Sequence, residues 1–217
     1  MLKVVVFNAP ARSGKDSASS HMCKITDNGY HKAFKDELFK ICANILGISV
    51  ERFKDGYDET LGEVYNRKGK KLLFHEDPDI WYKDYTGTIL QRIRGKQYSK
   101  REFLIHMSEN VIKPSFGKDA FGKTFVNSLP EEGIVFVSDS GFPEELQPVI
   151  DYVGAENVLV IRIQREGCSF EGDSRDYLTP EMFDDKVQFY QIVNNGTEKE
   201  FLEGVEELVG MWLDAED

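Results

Sequence analysis

An apolar run, Val4-Val5-Val6-Phe7, passes directly into Ala9-Pro10-Ala11-Arg12-Ser13-Gly14-Lys15-Asp16-Ser17, which opens a predicted helix. A short run that is apolar at every position suits a strand buried on both faces. When such a strand turns through small residues into a helix, the turn amides and the first-turn N–H groups converge where the helix dipole is positive, making an anion cradle. The segment therefore predicts a phosphate-binding loop, with Lys15 reaching the β- and γ-phosphates of a nucleoside triphosphate. It departs from G-x-x-x-x-G-K-[S/T] at two positions. Ala9 stands at the first glycine, and Asp16 takes the hydroxyl slot, with Ser17 one place later. The alternative is a lysine on an ordinary strand-to-helix turn.

Three further apolar runs, Ile134 to Val137, Val158 to Ile163 and Val187 to Val193, read as strands, each followed by turn residues and a helical pattern. This alternation predicts an α/β fold with a parallel sheet covered by helices on both faces, in one domain over residues 1–217. In the last unit Asn194-Asn195-Gly196-Thr197 ends a strand and starts a helix with Phe201, Leu202, Val205, Leu208, Val209 and Trp212 on one face. Residues 50–97 are weakly periodic and read as an insertion, with a hairpin around Arg67-Lys68-Gly69-Lys70 as one option. Ser99-Lys100-Arg101-Glu102 has capping-box spacing and starts an amphipathic helix through Phe103, Leu104, Met107 and Val111.

A net charge of −11 argues against a protein that grips a nucleic acid polymer, since that affinity comes from clustered Lys and Arg. A local basic pocket for a small anion is compatible with it. Cys23, Cys42 and Cys168 are far apart and form no C-x-x-C pair, which suggests neither a disulfide framework nor a zinc site and makes the reducing cytoplasm the expected compartment. No apolar run approaches the ~20 residues of a membrane span.

Phosphoryl transfer needs backbone amides, a lysine, a metal and arginines to offset charge spread over the transferring group. Asp16 and Ser17 are candidate Mg²⁺ ligands, directly or through water. Val135-Phe136-Val137-Ser138-Asp139 is an apolar strand ending in a carboxylate, the form of a Walker B segment whose aspartate orients Mg²⁺. The alternative for Asp139 is a loop residue capping the helix near Pro143. Basic residues group at Arg92, Arg94, Lys96, Lys100 and Arg101, at Arg162 and Arg165, and at Arg175; any one of these can equally belong to a solvated face. His21, His31, His75 and His106 have no metal-ligand spacing, and Trp81 and Tyr82 are either packing or a base-stacking pair.

Together these motifs resemble the phage-type deoxynucleoside monophosphate kinases, of the P-loop nucleoside monophosphate kinase group. Arg12-Ser13-Gly14-Lys15-Asp16-Ser17 matches the R-S-G-K-D-[S/T] form of that family's phosphate loop. Ser99 to Leu104 resembles its [S/T]-P-R-E-x-L helix start, and Ser108-Glu109 its later T-E, with Lys113 where an arginine is usual. Ser138-Asp139 through Phe142-Pro143 and Glu145 resembles S-D-x-R-F-P-x-E, with Gly141 in place of the arginine. Gly172-Asp173-Ser174-Arg175 resembles the segment after the lid arginine, with Arg175 replacing a histidine; Phe34-Lys35-Asp36 resembles F-A-D, and Asn194 to Thr197 the terminal N-[N/D]-G-[T/S] turn.

The resemblance implies a P-loop NTPase-like fold with a helical acceptor-binding region near 34–128 and a short lid at 165–178. It implies transfer of the γ-phosphate of ATP to a deoxynucleoside monophosphate with Mg²⁺ as cofactor, giving the diphosphate and ADP. ATP would be held by residues Arg12, Ser13, Gly14, Lys15, Asp16, Ser17 and Arg165, with Lys15, Arg12 and Arg165 catalytic. Asp16, Ser17 and Asp139 would arrange Mg²⁺. The acceptor would meet Ala11, Phe34, Lys35, Asp36, Arg101, Asp139, Asp173 and Arg175. A phage origin, with the host cytoplasm as compartment, fits, and a homodimer is compatible with the sequence. Another small-molecule P-loop kinase, or a nucleotide-binding protein without catalysis, would share the loop and the Walker-B-like strand.

Overall fold

The computed structural model describes residues 1–55, 100–183 and 187–215. Arg67 to Lys70, His75, Trp81, Tyr82, Arg92, Arg94, Lys96 and the Ser99 cap lie outside these residues. The chain divides into two compact units, one of residues 1–35 and 118–217 and one of residues 36–117.

The first unit is built on five parallel strands: β1 (Leu2–Asn8), β2 (Gly29–Lys32), β3 (Gly133–Val137), β4 (Val158–Gln164) and β5 (Gln188–Val193), in the order β2-β3-β1-β4-β5. The register puts Val5 beside Phe136 on one side and Leu159 on the other. Val4, Val6, Val135, Val137, Val158 and Val160 point into one apolar cluster, and Val5, Phe7, Phe136, Leu159, Ile161 and Ile163 into the other. Helices cover both, which is why these strands read as continuous apolar runs.

Helix α1 (Lys15–Ile25) and the last helix of the chain (Glu198–Asp214) cover the second cluster, through Ala18 and Met22 and through Phe201, Val205, Val209 and Trp212. That last helix opens on a capping box, in which Thr197 accepts from the Glu200 N–H and the Glu200 side chain accepts from the Thr197 N–H. The helices Ala120–Val126 and Pro143–Val153 cover the first cluster, with Phe125, Leu146, Val149 and Ile150. They approach closely at Gly122, where a Cβ would lie 2.2 Å from the Glu145 carbonyl oxygen. The helices following the adjacent strands β1 and β3 thus lie on opposite faces, which opens a crevice at the carboxyl ends of these two strands.

The second unit carries α2 (Lys35–Leu46, apart from its first residue), α3 (Val50–Lys54), α4 (Lys100–His106), a π turn (Met107–Ile112) and α5 (Lys113–Phe116). Phe53 sits between Phe39 and Phe103 with edge-on ring contacts at 5.8 and 6.5 Å. Lys100 Nζ donates to the carbonyls of Arg52, at 2.7 Å, and Asp55. The expected stripe through Phe103, Leu104, Met107 and Val111 holds only in its first turn. Phe103, Leu104 and Ser108 are buried, while Val111 is exposed. The cause is the π turn: the Lys113 N–H bonds back to the Ser108 carbonyl, and the wider turn rotates the following residues off the stripe. Among the described residues no helix is long and apolar enough to cross a membrane.

Candidate phosphate-binding site

The loop after β1 has the geometry of an anion cradle. Gly14, the residue before α1, has φ 99°, a left-handed conformation open to glycine, and Arg12 takes φ 65° although it carries a side chain. Strained backbone of this kind persists where surrounding contacts over-determine it. Two contacts do so here. Arg165 Nη1 donates to the Arg12 carbonyl at 3.1 Å, and Asn194 Nδ2 donates to the Ser13 carbonyl at 2.9 Å. Ala9 tolerates its methyl group because the residue lies in the apolar cluster with Phe7 and Ala18.

Lys15 is only 6% exposed, and its Nζ curls back over the loop to donate to the Pro10 carbonyl at 3.1 Å. Burial pushes the Lys15 pKa below its usual value; Asp16 opposes this, Arg175 and Lys35 push further down, and Asp139 opposes them. A desolvated ammonium with Arg175 and Lys35 in range, as well as Asp16 and Asp139, gains further from a polyanion. Ser13 Oγ is buried without a hydrogen-bond partner among the described residues, and the same is true of Ser140 Oγ beyond β3. The loop residues therefore fit a phosphate chain.

Across the crevice, the Asp139 carboxylate accepts from the Phe34 N–H at 2.6 Å and from the Lys35 N–H at 3.0 Å. It thereby ties the chain leaving β2 to the end of β3. The Phe34 ring itself packs in the core, 4.6 Å from the Phe125 ring. Asp16 and Ser17 are exposed in the first turn of α1, and Asp16 Oδ2 lies 3.9 Å from Lys15 Nζ. Among the described residues no group of three or more His, Cys, Asp or Glu forms a cage for a metal. Mg²⁺ held by one or two side chains, phosphate oxygens and water needs no such cage, and Asp16 and Ser17 suit that mode.

The 165–178 segment is a loop without regular helix or strand. It is fastened at both ends. At the start, the Glu166 N–H donates to Asn195 Oδ1 at 2.8 Å. At the end, Asn8 Nδ2 donates to the carbonyls of Asp176 and Ser140, at 3.2 and 3.4 Å, and Asn8 Oδ1 accepts from the Leu178 N–H at 2.8 Å. Tyr177 Oη donates to the Ile163 carbonyl at 3.1 Å. A cleft of about 370 Å³ opens beside the start of the segment, lined in part by Arg165, Cys168, Tyr177 and Asn195.

The first unit thus brings together Ala11, Arg12, Ser13, Gly14, Lys15, Asp16, Ser17, Phe34, Lys35, Asp139, Arg165, Asp173 and Arg175. Asp36 and Arg101 belong to the second unit. There Asp36 pairs with Lys54 at 3.3 Å, and Arg101 lies exposed at the start of α4. Asn8 and Asn194 are the organising residues that sequence reasoning did not select for the site. The only signals were a polar residue ending an apolar run and a turn ahead of the last helix.

No family model matches this chain, and no curated protein matches it significantly.

Proposed function

We propose that the protein is a P-loop kinase that transfers the γ-phosphate of ATP, as its Mg²⁺ complex, to a deoxynucleoside monophosphate. The observation that carries this reading is the buried Lys15, curled over a loop with a left-handed Gly14 at the head of α1, on the crevice between β1 and β3. Ligands of open parallel sheets bind in such crevices.

In this reading the amides of residues 11–17 and Lys15 bind the phosphate chain, and Arg12 and Arg165 offset charge on the transferring group. Asp16, Ser17 and Asp139 would arrange Mg²⁺, which would supply further charge neutralisation. The cleft beside Arg165 has room for a nucleobase, against which a guanidinium stacks well. The acceptor oxygen is already anionic at neutral pH, so no general base is required. Closure of the 165–178 segment would exclude water as a competing acceptor. The compartment expected is the cytoplasm, that of the host if the protein is of phage origin.

The test is ADP release from Mg-ATP with deoxynucleoside monophosphates as acceptors, alongside the Lys15→Ala variant. Turnover with at least one of them, lost in the variant, supports the reading. ATP binding without turnover on any acceptor, ribose forms included, contradicts it.

A further inference from the structure

Arg175 is held by its neighbours more tightly than a surface arginine needs to be. Its Nε donates to Asp173 Oδ1 at 3.0 Å and its Nη2 to Asp173 Oδ2 at 2.6 Å, a two-pronged pairing that fixes the plane of the guanidinium. The Arg175 N–H donates to Asp173 Oδ1 as well, at 3.1 Å, so one carboxylate holds both the main chain and the side chain. Both side chains are largely shielded, at 22% and 20% exposure.

The stem of Arg175 rests on Gly141. A Cβ at position 141 would lie 2.5 Å from the Arg175 Cβ and 3.0 Å from its Cγ, and Gly141 has φ 150°. The next residue is strapped to the same place, since the Asp176 N–H donates to the Gly141 carbonyl at 3.3 Å. Asn8 joins Asp176 and Ser140 from the end of β1. Arg175 is therefore fixed at the carboxyl ends of β1 and β3, the edge that also carries the phosphate loop.

Ligands of an open parallel sheet bind at that edge, and a cation fixed there attracts the anion that the phosphate loop would cradle. A guanidinium whose plane is already set loses less freedom when it binds one.

We propose that Asp173, Arg175 and Gly141 act as one device that presents the Arg175 guanidinium to a phosphate group of the bound nucleotide. Arg175 is the ligand. Asp173 is a positioning residue that orients it, and Gly141 is the notch that admits its stem. This rests on the nucleotide-kinase reading above and adds to it how the contact is built.

The test follows the Nε–Hε resonance of Arg175 in ¹⁵N-labelled full-length protein, assigned by its disappearance in Arg175→Lys. Inorganic pyrophosphate, Mg-ATP and deoxynucleoside monophosphates are titrated separately. The proposal expects the resonance to be visible in the free protein and to shift on binding at least one of these probes. Asp173→Asn should broaden it in the free protein and weaken binding of that probe about tenfold, as for loss of one charge-assisted contact. Gly141→Ala should weaken binding in the same direction although no charge is removed, with amide signals away from 139–142 and 173–177 unchanged. Shifts at residues 11–17 with the Arg175 resonance unmoved by every probe would reduce the pairing to a loop closure and leave the kinase reading standing. No shift anywhere with any probe overturns both.

Discussion

Asn194 Nδ2 reaches the carbonyl of Ser13 at 2.9 Å and ties the loop between β1 and α1 to the turn ahead of the last helix. The same Nδ2 is what a Cβ on Gly14 would strike, at 2.6 Å. Together with the Arg165 bond to the Arg12 carbonyl, this contact and the missing methyl group at Gly14 shape the loop.

Replacing Asn194 by Ala should cost about 1–3 kcal/mol, because a buried carbonyl loses its partner. ATP binding should weaken with it, as the loop relaxes. Denaturant unfolding and ATP titration check both effects. Stability and affinity equal to the parent would show that the bond does not organise the loop.

Asp139 spends both carboxylate oxygens on the N–H groups of Phe34 and Lys35. Asp139→Ala leaves two such donors unpaired and should destabilise the first unit by about 2–5 kcal/mol; Asp139→Asn, which keeps one acceptor oxygen, should cost less. Unfolding midpoints of the two variants should fall in that order. The reverse order, or no loss in either, would mean that the carboxylate does not hold the end of β2 to β3.

The Lys15 pKa, pushed below 10.5 by burial first and by Arg175 and Lys35 in addition, sets two pH dependences of opposite sign. Between the folded pKa and 10.5 the unfolded chain holds more protons at this site than the folded one. The Lys15 contribution to stability therefore rises with pH across that window, as the penalty for burying a charge is relieved. Phosphate binding needs the charged form, so ATP affinity should fall as pH rises through the same window. Lys15→Arg keeps its charge throughout. The ratio of parent to Lys15→Arg affinity should decline with an onset below pH 10.5, read by calorimetry at fixed ionic strength. A flat ratio would contradict a desolvated, phosphate-facing ammonium.

Burial pushes the Cys42 thiol up to about 12, which leaves almost no thiolate near neutral pH. Cys23 and Cys168 are both less buried. Alkylation of the native protein followed by peptide mapping should leave Cys42 as the unmodified thiol, and unfolding should expose all three. Native labelling of Cys42 at the denatured rate would show that its surroundings open readily.

Much of this architecture is written in local pattern. β1, β3 and most of β4 are apolar because helices cover both sheet faces, whereas β5, at one edge, carries two glutamines and is only partly buried. Thr197 and Glu200 advertise the last helix through the spacing of a capping box. β2 is different: Gly29-Tyr30-His31-Lys32 lies at the sheet edge, half in water, and carries no apolar run. The π turn at Met107–Ile112 was equally hidden, since a period of 3.6 residues cannot announce its own interruption. For the site, Arg12 to Lys15 were legible as a contiguous motif. The roles of Asn8, Asn194 and Gly141 arise from partners far away in the chain (Asp176, Ser13 and Arg175), and no local spacing records them.

The most direct measurement is a coupled ADP-release assay with Mg-ATP against dGMP, dTMP, dCMP, dAMP and their ribose counterparts, run beside Lys15→Ala. The expected result is turnover with at least one deoxynucleotide, reduced a hundredfold or more, on the order of the loss for one transition-state charge contact, in the variant. Turnover on none of them, with ATP binding intact and dependent on Lys15, would contradict a deoxynucleotide kinase and leave a nucleotide-binding loop serving another acceptor or no transfer at all.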